Sequence, residues 1–472
     1  MAADNSLRRS AMRGGVYLIG RQALGVCLKL IGVMLITRVL GPSEYGSYVT
    51  AFNVYQYALL LGQAGVGVYL LRYPGTVPDI AIRTSYSLLM FTAAILFIAM
   101  EGTRGLVAGW SGVSGYYSVM AVVAVALPFQ LLSIPATIGL ERDLNYRNVA
   151  VIEIGGDVAY YAIAAPLALM GYGAFALGVA LLVQKMMFCA LALYMARTLP
   201  RFGFDRATVK ETVRYAATFS FANWVWQLRM LVNPLIAAPV IGAHGVGLIG
   251  MTVGILEMLS IAKTIAWRLS VSILGRVQDN LDKLRQAVTE GMALQTLVVG
   301  ALLLGFSWTG SYVVPLVFGA RWAPVMTYFP YIALSYVTIA TFNVHSAVMS
   351  VIDRNRDLAI YHLIHVAVFA GTTWFAVRQV GAIGYGYAEL AAIPTYLVMH
   401  IVLTRAVGSP NYSVAALWWV ACAIGLFWRE LGLWAIAVPF VALAMPISVR
   451  TIKGYVALVR KPKVAPEPEF AA

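Results

Sequence analysis

Charge is what this chain has least of. Asp, Glu, Lys and Arg make up 11% of its 472 residues, against about 25% in an ordinary soluble domain, and only 20 residues are acidic. With 61% of its residues apolar, the chain cannot clothe a folded surface for water, which excludes a soluble globular protein. Cysteine is nearly as scarce. Cys27, Cys189 and Cys422 each stand in a different apolar run, with no CxxC spacing. That excludes a disulfide framework and a thiolate metal site, and leaves them as small packing residues. Long polar segments are missing too: the stretches between apolar runs stay under about 20 residues, and no DxD, HExxH or GxSxG stands in a fitting context. An enzyme that carries its chemistry on a large loop is thereby disfavoured.

What the chain has in quantity is apolar length. Mean hydropathy is +0.79, and runs of about 20 residues recur throughout, each able to cross roughly 30 Å of hydrocarbon at 1.5 Å per residue. The runs predict spans near 16–39, 46–70, 84–104, 116–138, 149–170, 174–197, 215–241, 246–270, 288–309, 324–350, 359–378, 384–404, 413–429 and 432–450. The expected fold is an all-α polytopic membrane protein of about fourteen helices. The basic start "MAADNSLRRSAMRGG" resembles a signal peptide, but the apolar run after it is too long and too charged, so it reads as a retained first span.

The net charge of +14 does not point to nucleic acid, because the basic residues gather in short loops between spans. Roughly 24 of the 34 Lys and Arg fall on the side of the N-terminus and roughly five on the other, so both termini are expected in the cytoplasm. The 197–214 linker "RTLPRFGFDRATVKETVR" is the longest polar interruption and marks a boundary. Across it the chain repeats itself: "LGPSEYGSYVTAF" (40–52) aligns with "IGAHGVGLIGMTV" (241–253), placing Gly41 and Gly46 on Gly242 and Gly247. A weaker echo pairs "GYGAFALG" (171–178) with "AIGYGYAE" (382–389). The organisation expected is an N-terminal lobe 1–200, a C-terminal lobe 201–410 related by an axis along the membrane normal, and two accessory spans with a cytoplasmic tail, 411–472.

At this point the motifs carry a resemblance. "TRVLGPSEYGSYVTAFNVYQY" is similar to the first-loop signature of bacterial polysaccharide flippases, "ERDLNYRNVAVIEIGGDVAYYAIAAPLALMGYGAFAL" to their fourth loop and fifth span, "RVQDNLDKLRQAV" to their eighth loop and "VFGARWAPVMTYFPYIALS" to their ninth loop and tenth span. The chain resembles the oligosaccharide flippase branch of the multidrug/oligosaccharidyl-lipid/polysaccharide exporter superfamily. The resemblance implies two six-helix lobes around a central cavity and carriage of an undecaprenyl-pyrophosphate-linked oligosaccharide from the cytoplasmic to the periplasmic leaflet of a bacterial inner membrane. It implies no covalent chemistry and no cofactor. Membrane lipids are expected partners, and a polysaccharide polymerase and a chain-length regulator are candidate protein partners.

Charges inside the spans need an explanation of their own, since a Lys or Arg at mid-bilayer costs at least about 2.5–3.5 kcal/mol. Arg21 and Lys29 in span one, Lys185 in span six, Arg229 in span seven and Lys263 with Arg268 in span eight are the candidates for a cationic wall that holds a diphosphate. Arg21 and Lys29 lie within about 80° of each other on the helix and about 12 Å apart in depth. The alternative is that each cation snorkels or pairs with an intramembrane acid, drawn from Glu153, Asp157, Glu257 and Glu389. Glu153 and Asp157, spaced i, i+4, and Glu257 are also the candidates for coupling to a proton or sodium gradient. His345, His362, His365 and His400 lack a neighbouring ligand set and read as structural, while Trp418, Trp419, Trp428 and Trp434 read as interfacial anchors.

Three functions compete on these residues: a flippase for lipid-linked oligosaccharide, an ion-coupled drug antiporter of the same superfamily, and, remotely, a membrane polysaccharide polymerase or glycosyltransferase. The surplus of intramembrane cations over acids favours an anionic cargo.

Overall fold

The computed structural model describes residues 32–215, 220–275 and 278–460. Arg21 and Lys29 lie outside them. The described residues form helices and turns and no strand. In lipid every backbone group must be bonded within the segment, and an unbroken apolar helix does that.

Residues 32–39 are helical and lead into α1 (Pro42–Gly62), α2 (Val66–Arg72), α3 (Asp79–Ser111), α4 (Tyr116–Leu132), α5 (Ile134–Arg142), α6 (Tyr146–Leu169), α7 (Gly173–Met195) and α8 (Arg206–Tyr215). After these come α9 (Phe221–Gln227), α10 (Ala238–Leu259), α11 (Ile261–Leu274), α12 (Leu281–Phe318), α13 (Val325–Val351), α14 (Asn355–Val380), α15 (Ile383–Ala392) and α16 (Tyr396–Val407). The chain ends in α17 (Ser413–Leu426), α18 (Trp428–Leu431), α19 (Trp434–Ala444) and α20 (Pro446–Arg460). Among the described residues nine helical stretches are long and apolar enough to cross a membrane, or eleven if each of two bent pairs counts as one span. Every expected span from the second onward overlaps helix. This is a multi-pass, all-α integral membrane protein.

The breaks have local causes. Gly242 takes φ 63° and ψ −177°, which interrupts the helix at the turn expected between spans seven and eight. Span seven is irregular before that point: α9 gives way to a 3₁₀ turn, Leu228–Leu231, and a π turn, Asn233–Ala237, around Pro234. The expected last span, 432–450, is not one straight segment. Pro446 forces Met445 into extended backbone (φ −60°, ψ 143°), and the chain bends by 63° into α20. That bend also corrects the reading of Trp418 as an interfacial anchor. The hydroxyl of Ser448 on α20 accepts its indole N–H at 2.9 Å, and the ring is buried, whereas Trp434 is exposed.

The chain forms two compact units. The first comprises the described residues of Met1–Gly254 with Gly310–Phe329 and Arg354–Thr395; the second comprises Ile255–Thr309, Pro330–Asp353 and the described residues of Tyr396–Ala472. The core of the first unit runs along α4, where Val119, Met120, Val123, Ala124, Leu127 and Leu131 are all fully buried. A helix apolar all round belongs in such a place. In the second unit Met292, Ala293, Ala415, Trp418, Ala421 and Ala442 form a smaller cluster.

The signature stretch at 37–48 is a structural knot at one end of the first unit. Arg38 donates from Nε and Nη2 to the carbonyls of Val317 (3.1 Å) and Leu316 (2.5 Å), meeting the orphan acceptors at the end of α12. Trp322, fully buried, donates to the Thr37 carbonyl at 2.9 Å, and its ring meets Tyr45 edge-on at 5.5 Å. Glu44 accepts the Ala174 amide at 2.8 Å, an anion at the N-terminus of α7. Tyr48, Phe52 and Tyr55 continue as a stacked stripe down α1. Two motifs that were far apart in sequence, "TRVLGPSEYG" and "VFGARW", are thus one feature.

The repeat-equivalent glycines meet at this end. A Cβ on Gly46 would overlap the Ala243 carbonyl oxygen and lie 2.8 Å from the Gly247 nitrogen; a Cβ on Gly247 would overlap the Pro42 carbonyl oxygen and lie 3.0 Å from the Gly46 nitrogen. The two contacts are images of each other in the alignment that places Gly46 on Gly247. Gly46→Ala and Gly247→Ala should each destabilise the purified protein by about 1–3 kcal/mol, as overpacking does. Gly254→Ala, whose Cβ meets nothing within 4 Å, should leave the melting temperature at or above wild type. Equal melting of all three variants in detergent would contradict the close approach.

Candidate functional site

Among the described residues, the span charges singled out as cavity or coupling candidates fall into three groups, two in the first unit and one in the second. The first is built on irregular span seven. Arg229 Nη2 donates to both oxygens of Glu389, at 2.8 and 2.9 Å. The arginine side chain is 14% exposed and the carboxylate 1%. The guanidinium also lies over Trp226 (4.8 Å) and Phe369 (5.4 Å). Trp226 in turn lies tilted against His362 (4.9 Å) and His365 (5.2 Å) on α14. The imidazoles are tied locally, His362 Nδ1 with the Ala222 carbonyl and His365 Nδ1 with Thr395 Oγ1, both at 2.8 Å.

The second group lies where α6 meets α7. Gly155 lets the helices approach, since a Cβ there would lie 2.6 Å from Leu191 Cδ1. Gln184 Nε2 then donates to Asp157 Oδ1 at 2.9 Å. Glu153, one turn before Asp157, and Lys185, next to Gln184, are both partly buried and both have interaction partners.

The third group belongs to the second unit. Glu257 accepts Tyr336 Oη–H at 2.7 Å and pairs with Lys263 Nζ at 3.2 Å, while Nζ sits 4.2 Å above the Tyr336 ring. The helix breaks between them at Ser260, which separates α10 from α11. Asn343 Nδ2 donates to the Lys263 carbonyl and to Gln295 Oε1, both at 2.8 Å, linking α11, α12 and α13. Arg268 is on α11, and its side chain lies outside the described residues.

For Arg229 and Lys263, then, pairing with an intramembrane acid is what the structure shows. Glu389 stood in the sequence only as a spare partner; it is the most buried ionic group of the three. Trp226, Phe369 and Tyr336 gave no signal as isolated aromatics, although Trp226 lies three residues from Arg229 on the same turn. Among the described residues no group of three or more His, Cys, Asp or Glu could hold a metal ion. The groups brought together are a planar guanidinium, an ammonium and their carboxylate partners.

Arrangement and fold together define a class, a multi-pass helical membrane protein with paired charges inside its spans. A solved structure of the lipid II flippase MurJ in an inward closed conformation superposes with TM-score 0.67 at 12% identity, covering 94% of this chain and all of that one. An inward-facing multidrug resistance MATE transporter gives TM-score 0.65 at 15% identity over 81% of this chain and 95% of that one. In sequence, the succinoglycan biosynthesis transport protein ExoT of Rhizobium meliloti (strain 1021) is 22% identical over 395 residues, 82% of this chain and 76% of the relative. The family described as polysaccharide biosynthesis protein matches residues 35–327, and the chain belongs to it.

Removing one member of the Arg229–Glu389 pair leaves a buried charge uncompensated. Arg229→Gln and Glu389→Gln should each cost about 3–5 kcal/mol of stability, and the double variant far less than their sum. Additive losses across this cycle would show that the two groups do not depend on each other.

Proposed function

We propose that this protein flips an undecaprenyl-pyrophosphate-linked oligosaccharide from the cytoplasmic to the periplasmic leaflet by alternating access, for synthesis of a surface polysaccharide. Family membership across most of the chain supports the class of cargo. The observation that carries the reading is Arg229. It is a guanidinium kept inside a membrane span, on backbone that leaves the α-helix for 3₁₀ and π turns. Irregular backbone at membrane depth is tolerated where protein or a wet path surrounds it, and broken helices are where transporters bind charge. A guanidinium suits a diphosphate because its planar donors match phosphate oxygens.

Alternating access draws support from the Gly46–Gly247 contact. With both termini cytoplasmic, the loops before α1 and within the Gly242 turn face the periplasm. Their packing without side chains between them is a seal that two helices make and break as whole surfaces.

The drug-antiporter reading rests on the likeness to the MATE transporter, which at 15% identity speaks to fold alone. The two readings part in one experiment. Deleting the gene should strand lipid-linked oligosaccharide on the cytoplasmic leaflet, where a membrane-impermeant label cannot reach it, and should leave drug sensitivity unchanged. Unchanged labelling with heightened drug sensitivity would reject the flippase. In proteoliposomes, Asp157→Asn should blunt any response of translocation to a proton or sodium gradient; a full response in that variant would remove Asp157 as a coupling residue.

A further inference from the structure

We propose that α20 is an interfacial helix whose Arg450 and Lys453 bind the phosphate groups of anionic phospholipids in the leaflet next to the C-terminus. This is a contact with the surrounding membrane and does not depend on which cargo is carried.

The sequence itself sets the helix at the surface. Pro446 has no amide to give the Ala442 carbonyl one turn back. The Ser448 hydroxyl donates to that carbonyl at 2.6 Å instead, and accepts the Trp418 indole N–H at 2.9 Å. The 63° bend between α19 and α20 is thereby fastened to α17. Further along, Tyr455 Oη donates to the Glu290 carbonyl of α12 at 2.9 Å. With 11 residues, α19 reaches only about 16 Å, short of the roughly 30 Å of hydrocarbon. The chain finishes its crossing obliquely: the 15 residues of α20, inclined at 63° to α19, add about 10 Å of depth. Tyr455 therefore comes to the depth of Glu290, close to the start of the span expected from 288 onward.

The two clamps also fix which face looks outward. Ser448 and Tyr455 are seven residues apart and share a face, while Arg450 and Lys453 each fall about 160° away from it. Both cations are exposed. Between the two faces lie Ile447 on one flank and Val456 on the other, 40% and 43% exposed. A surface that is cationic along its middle and apolar at both edges suits neither water nor hydrocarbon. It matches the boundary where acyl chains meet phosphates. Long basic side chains at that depth reach outward to the headgroups, and α20 carries no acid to compete for them. A zwitterionic headgroup balances its phosphate with its own cation, which leaves anionic lipid as the partner.

The test uses the purified full-length protein in neutral detergent, with phosphatidylglycerol and phosphatidylcholine of the same acyl chains as probes and the melting temperature as readout. Wild type should be stabilised by phosphatidylglycerol and little by phosphatidylcholine. Arg450→Gln/Lys453→Gln should melt as wild type does without lipid, and should need about tenfold more phosphatidylglycerol for half the gain. Each single variant should need about threefold more, and these carry the test should the pair fail to fold. Arg450→Lys, which keeps the charge, should respond as wild type does. Salt at about 1 M should remove the wild-type preference, since charges are then screened within about 3 Å. A phosphatidylglycerol response that is unchanged in the glutamine variants overturns the proposal, as does an equal wild-type response to the two lipids. Inorganic pyrophosphate that stabilises wild type through the same two residues more strongly than phosphatidylglycerol also overturns it, by assigning the face to a soluble anion.

Discussion

The contact that sets how closely α1 and α10 approach in the first unit is the meeting of Gly46 and Gly247, backbone against backbone. In hydrocarbon there is no hydrophobic drive to bring two apolar helices together, so close approach of small residues has to supply the association through dispersion. Everything at that end follows from it. The chain entering α1 is pinned by Arg38 to the last carbonyls of α12 and by Trp322 to Thr37. The chain leaving the turn is held by Glu44 on α7 and by the Ser47 hydroxyl on the Ser114 carbonyl. A motif rich in Arg, Glu and Tyr therefore serves as mortar, and its conspicuous side chains are spent on backbone groups of neighbouring helices.

The second constraint is the cost of charge in lipid. It explains why Arg229 and Lys263 are not left standing alone. Arg142 illustrates the general solution: its Nη1 donates to the Leu70 and Tyr73 carbonyls at 2.6 and 3.0 Å, closing the end of α2 where no further helix turn can satisfy them. Arg229 and Lys263 use carboxylates instead, with an aromatic face added in each case. An ion pair of this kind is weak evidence for stability, because well-packed apolar residues would serve as well.

Apolar length and short loops make the spans legible without structure, and the Gly-x4-Gly echo announces the α1–α10 contact because close approach demands glycine whatever the surroundings. Partner choice is another matter. Glu389 lies 160 residues from Arg229, and nothing local distinguishes it from Glu153 or Asp157; only the fold decides which acid arrives. The fate of Trp418 was hidden for the same reason, since its partner Ser448 is delivered by a bend at Pro446 that an apolar count over 432–450 cannot register. Periodicity reports what each helix wants to bury, and the polar pairings depend on which helices meet.

In the alignment expected between the halves, Gly46 and Gly247 are equivalent, and their contacts in the structure are reciprocal. In the second echo Gly173 aligns with Gly384, and both lie where a Cβ would strike a neighbour, Glu44 in one case and the Ala376 backbone in the other. Five residues further on, the same alignment sets Gly178 against Glu389. Gly178 lies against Val119 on the buried side of α4, where a Cβ would meet its carbonyl and Cγ1 at 3.5 Å. Glu389 lies against a broken span that brings it a guanidinium. The scaffold positions are equivalent while the chemistry is not. In that alignment the glycines at the tightest contacts are kept, while a glycine in ordinary contact stands opposite a buried acid that meets a guanidinium.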